Sequence, residues 1–128
     1  MLLMIDDRKH ISAIQREFSM IFPYLKLEFF NHTLAVPPDN PKKNKVNSNL
    51  TLKQFRNKNK NEELKIKEDM RVSDLENSFQ VLFNISAQVF RKSAGTWIET
   101  SVTDDWTLKQ QNDEGKDLKD LSYFVRSA

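Results

Sequence analysis

A chain of 128 residues suits one domain, and its 38% hydrophobic content is low, with a mean hydropathy of −0.64. Nine Phe and two Trp still concentrate enough apolar area in few positions to build a core. The absence of Cys excludes disulfides, thiolate metal sites and a Cys nucleophile, and two Gly and two His leave little for phosphate loops or His-based catalysis. No apolar run approaches the ~20 residues that span a bilayer.

Met1–Ile5 is apolar but is cut short by Asp6-Asp7, so it does not read as a signal peptide. The next segment places Ile11, Ile14, Phe18 and Ile21 on one stripe of a helix. Ser12 with Gln15 has the form of a capping box, with Asp6 or Asp7 able to cap an earlier start, and Pro23 ends the helix. Tyr24–Phe30 then alternates as a strand.

The net charge of +2 conceals an uneven distribution. Residues 40–61 hold seven basic side chains and no acidic one, which leaves −5 on the rest of the chain. This insert opens with Pro37, Pro38 and Pro41 and is rich in Asn. Such a composition cannot repay its ordering entropy, so 36–49 reads as a flexible loop and 56–62 as a polar connector. Leu50, Leu52 and Phe55 between them are the residues able to dock one short turn. The basic run has two readings, a solvated loop or a contact with nucleic acid or another anionic surface.

Glu63–Lys67 alternates as a second strand. Val72–Phe83 then repeats the pattern of Ile11–Phe22 without a gap: positions 72, 75, 79, 81, 82 and 83 match 11, 14, 18, 20, 21 and 22, and Ser73 with Glu76 repeats the capping box. Asn84 tolerates a left-handed helix end. Ile85–Arg91 and Thr96–Val102 form two more strands, joined through Lys92–Gly95 as a four-residue hairpin loop. Pairing Arg91 with Thr96, Val89 with Ile98 and Ile85 with Val102 puts the apolar residues on one face. The other face then presents Phe90 opposite Trp97. Thr107 with Gln110 caps a third helix over 108–114, Gly115 stops it, and 116–128 reads as a tail.

The predicted architecture is α+β: two αββ units forming a two-layer sandwich, with a four-stranded, mainly antiparallel sheet, helices on one face and a short C-terminal helix. Residues 1–115 make the single domain around the insert at about 36–62.

The outward sheet face supplies the candidate site. Tyr24, Phe30, Phe90 and Trp97 form an apolar patch fit for a protein partner. The tail residues Tyr123, Phe124 and Val125, or the Pro-rich loop, are the alternative cover. A nucleic-acid reading adds Lys42, Lys43, Lys45, Lys65 and Lys67 to the same aromatics, with unpaired bases stacked on the rings. Against it stand Glu28, Glu63 and Glu99 and the lack of a Gly-aromatic RNP motif.

Asp104-Asp105 is the most enzyme-like feature, since paired carboxylates can hold a divalent metal; its position before a helix start reads more simply as capping. His10 and His32 have no spaced metal partners. No catalytic residue, cofactor or metal site is assigned.

From Val72 to Gly115 the chain resembles a small, uncharacterised bacterial family. The residues concerned are Val72-Ser73, Leu75-Glu76 and Phe79, then Gln88–Ser93, Trp97, Glu99-Thr100 and Thr103–Leu108. The resemblance implies no activity and suggests a bacterial cytoplasmic protein. The expectation is a non-catalytic protein-interaction or accessory module.

Overall fold

The computed structural model describes residues 2–31, 45–56 and 62–127, with side chains described up to Asp117. In chain order these form β1 (Leu2–Asp6), α1 (Ile11–Ile21), β2 (Leu25–Phe30), a 3-10 turn (Leu52–Gln54), β3 (Glu63–Lys67), α2 (Val72–Phe83), β4 (Ser86–Ser93), β5 (Thr96–Glu99), a second 3-10 turn (Ser101–Thr103) and α3 (Leu108–Ser127).

The fold is α+β, but its strands lie in two antiparallel sheets rather than one sheet of four. The apolar N-terminal run is a strand. Leu3 and Ile5 point into the core while Leu2 and Met4 face outward, an alternation hidden in a run where every residue is apolar. Pairing with β1 occupies β3, from Leu2 opposite Lys67 to Asp6 opposite Glu63. The second sheet runs β2-β4-β5.

The helices bury the first three residues of each predicted stripe; at the fourth, Ile21 and Leu82 are only partly buried, and Phe22 and Phe83 enter the core instead. Ile11, Ile14 and Phe18 of α1 and Val72, Leu75, Phe79 and Phe83 of α2 share one core with Leu25, Leu27, Phe29, Val89 and the inward residues of β1 and β3. Met20 and Val81, at matching positions in the two helices, are both exposed.

The starts of the helices differ from the capping-box expectation. His10 and Arg71 occupy the N-cap positions, and neither makes a side-chain cap bond. Distant backbone does the capping. Ile11 and Ser12 N–H groups donate to Leu50 O and Ser48 O, at 2.9 and 3.0 Å. Val72 and Ser73 donate to Trp106 O and Asp104 O, at 3.0 and 2.8 Å. These are the orphan donors of a first helical turn, satisfied by a loop instead of a side chain.

Each capping loop leads into the same tetrapeptide, Thr51-Leu52-Lys53-Gln54 and Thr107-Leu108-Lys109-Gln110. Each Thr–Gln pair closes a reciprocal capping box. Each also ties back to the turn before its helix: Leu52 and Lys53 donate to Lys9 O and Asp7 O, Leu108 and Lys109 to Met70 O and Glu68 O. Leu52 and Leu108 are both fully buried. β1-α1-β2 and β3-α2-β4 each run strand-helix-strand, and the start of each helix is tied to one of these turns.

The basic insert is described from Lys45 to Arg56, where Leu52 is buried and Phe55 packs against the core. The readings of 36–44 as loop and of 57–61 as connector fall outside the described residues.

Three further expectations change. The β4–β5 connection is the two-residue turn Ala94-Gly95, with φ of 50° and 86°, the pair of positive values that a tight hairpin needs. Pairing accordingly sets Arg91 opposite Ile98 and Lys92 opposite Trp97, not Arg91 opposite Thr96 and Phe90 opposite Trp97. Finally, β5 ends at Glu99, so Ile98 stays 37% exposed and Val102, in the following turn, 95% exposed.

Gly115 does not stop α3, which continues to Ser127. Its role is close packing. A Cβ on Gly115 would lie 2.7 Å from Tyr24 Cβ and 3.3 Å from both Arg91 Cγ and Lys92 O. Tyr24 Cβ is fixed by its own backbone and Lys92 O is a backbone atom, so neither can swing away. Gly115→Ala should therefore destabilise by about 1–3 kcal/mol, overriding the ~1 kcal/mol that Ala ordinarily contributes inside a helix. Comparing thermal unfolding of the two proteins checks this; an Ala variant as stable as the parent would show that α3 moves freely over the sheet. The side chains of residues 118–128, and with them the cover expected from Tyr123, Phe124 and Val125, lie outside the described residues.

Candidate functional site

The β2-β4-β5 sheet turns Leu25, Leu27, Phe29, Ala87 and Val89 toward the core. By alternation its other face presents Lys26, Glu28 and Phe30 from β2, Gln88, Phe90 and Lys92 from β4, and Trp97 and Glu99 from β5. Register brings Lys26, Phe90 and Glu99 into one row, with Lys92 and Trp97 in the next.

Trp97 is 38% exposed and has two ammonium groups close to its ring. Lys26 Nζ lies 5.0 Å and Lys92 Nζ 5.5 Å from its ring centroid, and Lys26 Nζ is also 5.3 Å from the Phe90 centroid. Cations over an indole face are held by its quadrupole, which fixes both the lysines and the ring. Glu28 accepts two longer ion pairs, from Lys26 and Lys45, each at 3.5 Å. Lys92 has no carboxylate within 4 Å among the described residues.

Phe90 and Trp97 thus lie on one face as diagonal neighbours. Phe30 is opposite Ser86, four positions along β4 from Phe90 and at the other end of the sheet. Tyr24 just precedes β2 and is half-buried where α3 crosses. Its N–H donates to Asn112 Oδ1 at 2.9 Å, and its carbonyl accepts from Lys92 N–H at 2.9 Å. Lys45 joins this sheet through its pairing with Phe30 and its contact with Glu28. Lys65 and Lys67 belong to the other sheet, opposite Met4 and Leu2. Lys42 and Lys43 fall outside the described residues. The flanking role of Lys92 was not legible beforehand, because a four-residue loop would have placed it off the sheet.

Where β5 leaves β4, Val89 has no strand partner on that side, although it still pairs with Leu27 on the other. Thr100 Oγ1 donates to Val89 O at 2.9 Å, and Glu76 Oε2 accepts from Val89 N–H at 3.1 Å. Burial pushes the Glu76 carboxyl up to about 7; the Val89 N–H opposes this, and the charges of Asp104 and Glu99 add to it. The folded state therefore holds the Glu76 proton between pH ~4.5 and ~7 while the unfolded chain has lost it. Stability should fall as pH rises through that window, by on the order of 1–2 kcal/mol after allowing for partial solvent screening. Glu76→Gln keeps an acceptor for Val89 and should flatten the profile. Urea unfolding of both proteins at pH 5 and pH 8 measures it, and parallel profiles would remove Glu76 as the cause.

Asp104 contributes its backbone carbonyl to the start of α2, while the Thr107–Gln110 box caps α3. No group of three or more His, Asp or Glu suited to a metal occurs among the described residues. His10 occupies the N-cap of α1, and His32 lies outside the described residues. No helix among the described residues is long and apolar enough to cross a membrane. Comparison with protein-family models, curated proteins and solved structures finds no match to this chain.

Proposed function

We propose that this chain is a non-catalytic interaction module that binds an acidic segment of another protein through the sheet face centred on Trp97. One observation carries the reading: a partly exposed indole in contact with the ammonium groups of Lys26 and Lys92, on the side of the sheet turned from the core. Trp is among the residue types from which interfaces draw most of their binding energy, and the two lysines beside it supply the charge that selects an acidic partner. Phe90 supports Trp97 from the adjacent row; Phe30 and Tyr24 extend the face toward its ends. The two β-α-β halves, each locked by its Thr-Leu-Lys-Gln turn, serve in this reading as a repeated scaffold that holds the face rigid. A cytoplasmic setting belongs to the same proposal.

The test uses the full chain and a fluorescein-labelled ten-residue peptide of alternating Val and Glu, followed by anisotropy. Trp97→Ala should weaken binding at least ~30-fold, the loss of one hot-spot residue, with an unchanged far-UV circular dichroism spectrum. Equal binding by the variant would remove the face from consideration. The nucleic-acid alternative gains nothing from Lys65 and Lys67, which lie on a different sheet from the aromatics. Tight, steeply salt-dependent binding of a single-stranded oligonucleotide in place of the peptide would favour it instead.

A further inference from the structure

We infer that the partner segment docks as an extended strand added along the free edge of β5, an inference that rests on the interface proposed above and specifies how it is used.

The two outer edges of the β2-β4-β5 sheet are treated differently. On β2 the outward carbonyls are occupied. Ser19 Oγ donates to Leu25 O at 3.1 Å, Gln15 Nε2 to Leu27 O at 3.0 Å, and Val46 N–H to Phe29 O at 3.1 Å. Two side chains of α1 and one loop amide thus block that edge against another strand, as proteins commonly protect edges.

The opposite edge has no such cover among the described residues. The Ala94-Gly95 turn makes Ser93 and Thr96 the closing hydrogen-bonded pair, so Thr96 and Ile98 point their backbone groups at β4. The bond from Lys92 N–H to Tyr24 O fits this phase, since Lys92 then faces β2 and Arg91 faces β5. Trp97 and Glu99 consequently aim their N–H and C=O groups away from the sheet. All four residues of β5 are exposed; the strand contains no Pro, and large apolar side chains stand on both of its faces, Trp97 on one and Ile98 on the other. An edge of this kind offers main-chain hydrogen bonds to an extended peptide, while alternate side chains meet the two faces.

Charge selects the occupant. A side chain of the added strand on the Trp97 face meets the indole and, across it, the ammonium groups of Lys26 and Lys92. A carboxylate there pairs with Lys92, which lacks one of its own among the described residues. An apolar residue on the other face meets Ile98. The matching ligand alternates acidic and apolar residues.

The experiment records amide hydrogen exchange by NMR on the full chain with and without the Val/Glu peptide. Exchange at the Trp97 and Glu99 amides should slow at least tenfold in the complex, with smaller changes at Thr96 and Ile98. Glu99→Pro removes one outward N–H without touching the β4 ladder, and should weaken binding at least tenfold. Glu99→Gln removes a carboxylate that repels the peptide, and should tighten it. A Val/Lys peptide should bind at least tenfold more weakly than Val/Glu. If Trp97→Ala abolishes binding but Glu99→Pro binds normally and the two amides stay unprotected, strand addition is wrong and the face reading stands. If Trp97→Ala binds like the parent, both fall. Should Glu99→Pro unfold, amide protection in the parent complex decides the matter alone. No binding of the Val/Glu peptide at millimolar concentration would overturn the inference.

Discussion

Phe79→Ala is expected to lower stability by about 3–5 kcal/mol, a large part of what a domain of this size ordinarily possesses. Phe79 is fully buried. Its ring packs edge-on against Phe29, with centroids 5.0 Å apart and planes at 75°, and against Phe83 at 6.0 Å. Phe79 belongs to α2 and Phe29 to β2, so this contact joins the first half of the chain to the second. Truncation loses the transfer energy of the ring and leaves a cavity whose walls are anchored in strand and helix, with little scope for collapse. Val81→Ala on the same helix is the control: Val81 faces solvent, and its loss should change stability by under about 0.5 kcal/mol. Urea unfolding with unchanged m-values measures both. A Phe79→Ala midpoint close to that of Val81→Ala would mean that the two halves do not share a core.

Arg56→Met should have an effect of similar size by a different route. Arg56 reaches back to the carboxylate of Asp7, and both side chains are largely buried. The pair joins the turn after β1 to the end of the first Thr-Leu-Lys-Gln segment, where Lys53 N–H also donates to Asp7 O at 2.8 Å. Desolvating two charges is expensive, so the intact pair contributes little net stability; removing one member leaves the other buried and uncompensated, which costs about 3–5 kcal/mol. Asp7→Asn combined with Arg56→Met removes the stranded charge and should recover part of that loss. If the double variant is no more stable than Arg56→Met, the damage comes from lost packing of the guanidinium stem. The sequence held no local sign of this pair, because its members are far apart in the chain and the intervening insert reads as solvated.

The helices were legible because their periodicity is strong and redundant. Ile11, Ile14 and Phe18, and again Val72, Leu75 and Phe79, leave one face for the core whatever lies opposite. Asn84 at φ 55° and the Thr107–Gln110 box follow from local chemistry in the same way. The inner and outer faces of β2 and β4 were also readable, since a period of two is insensitive to the strand's partner. Phe90 and Trp97 share a face for that reason, even though the register is displaced by two residues: an even displacement preserves the side on which each residue stands.

Other features depended on partners that the sequence does not name. Ser12 and Ser73 look like caps, but the structure caps both helices with distant loops. The signal for those loops was present as the repeated Thr-Leu-Lys-Gln segment, obscured because one copy lies inside the basic insert and the other opens a helix. Gly115 resembles a helix stop in one dimension, yet it is required where α3 meets Tyr24.

Composition and periodicity by themselves settled an α+β chain with two amphipathic helices, a core rich in Phe, and aromatic residues on the outer side of a sheet. Tertiary structure alone decided that the N-terminal run pairs with β3, that Lys26 and Lys92 meet at Trp97, that Arg56 neutralises Asp7, and which sheet edge is left uncovered among the described residues. The division has one physical cause. Side-chain period and turn chemistry act over a few residues, whereas strand partnership, close approach and the pairing of buried charges depend on groups brought together only when the core closes.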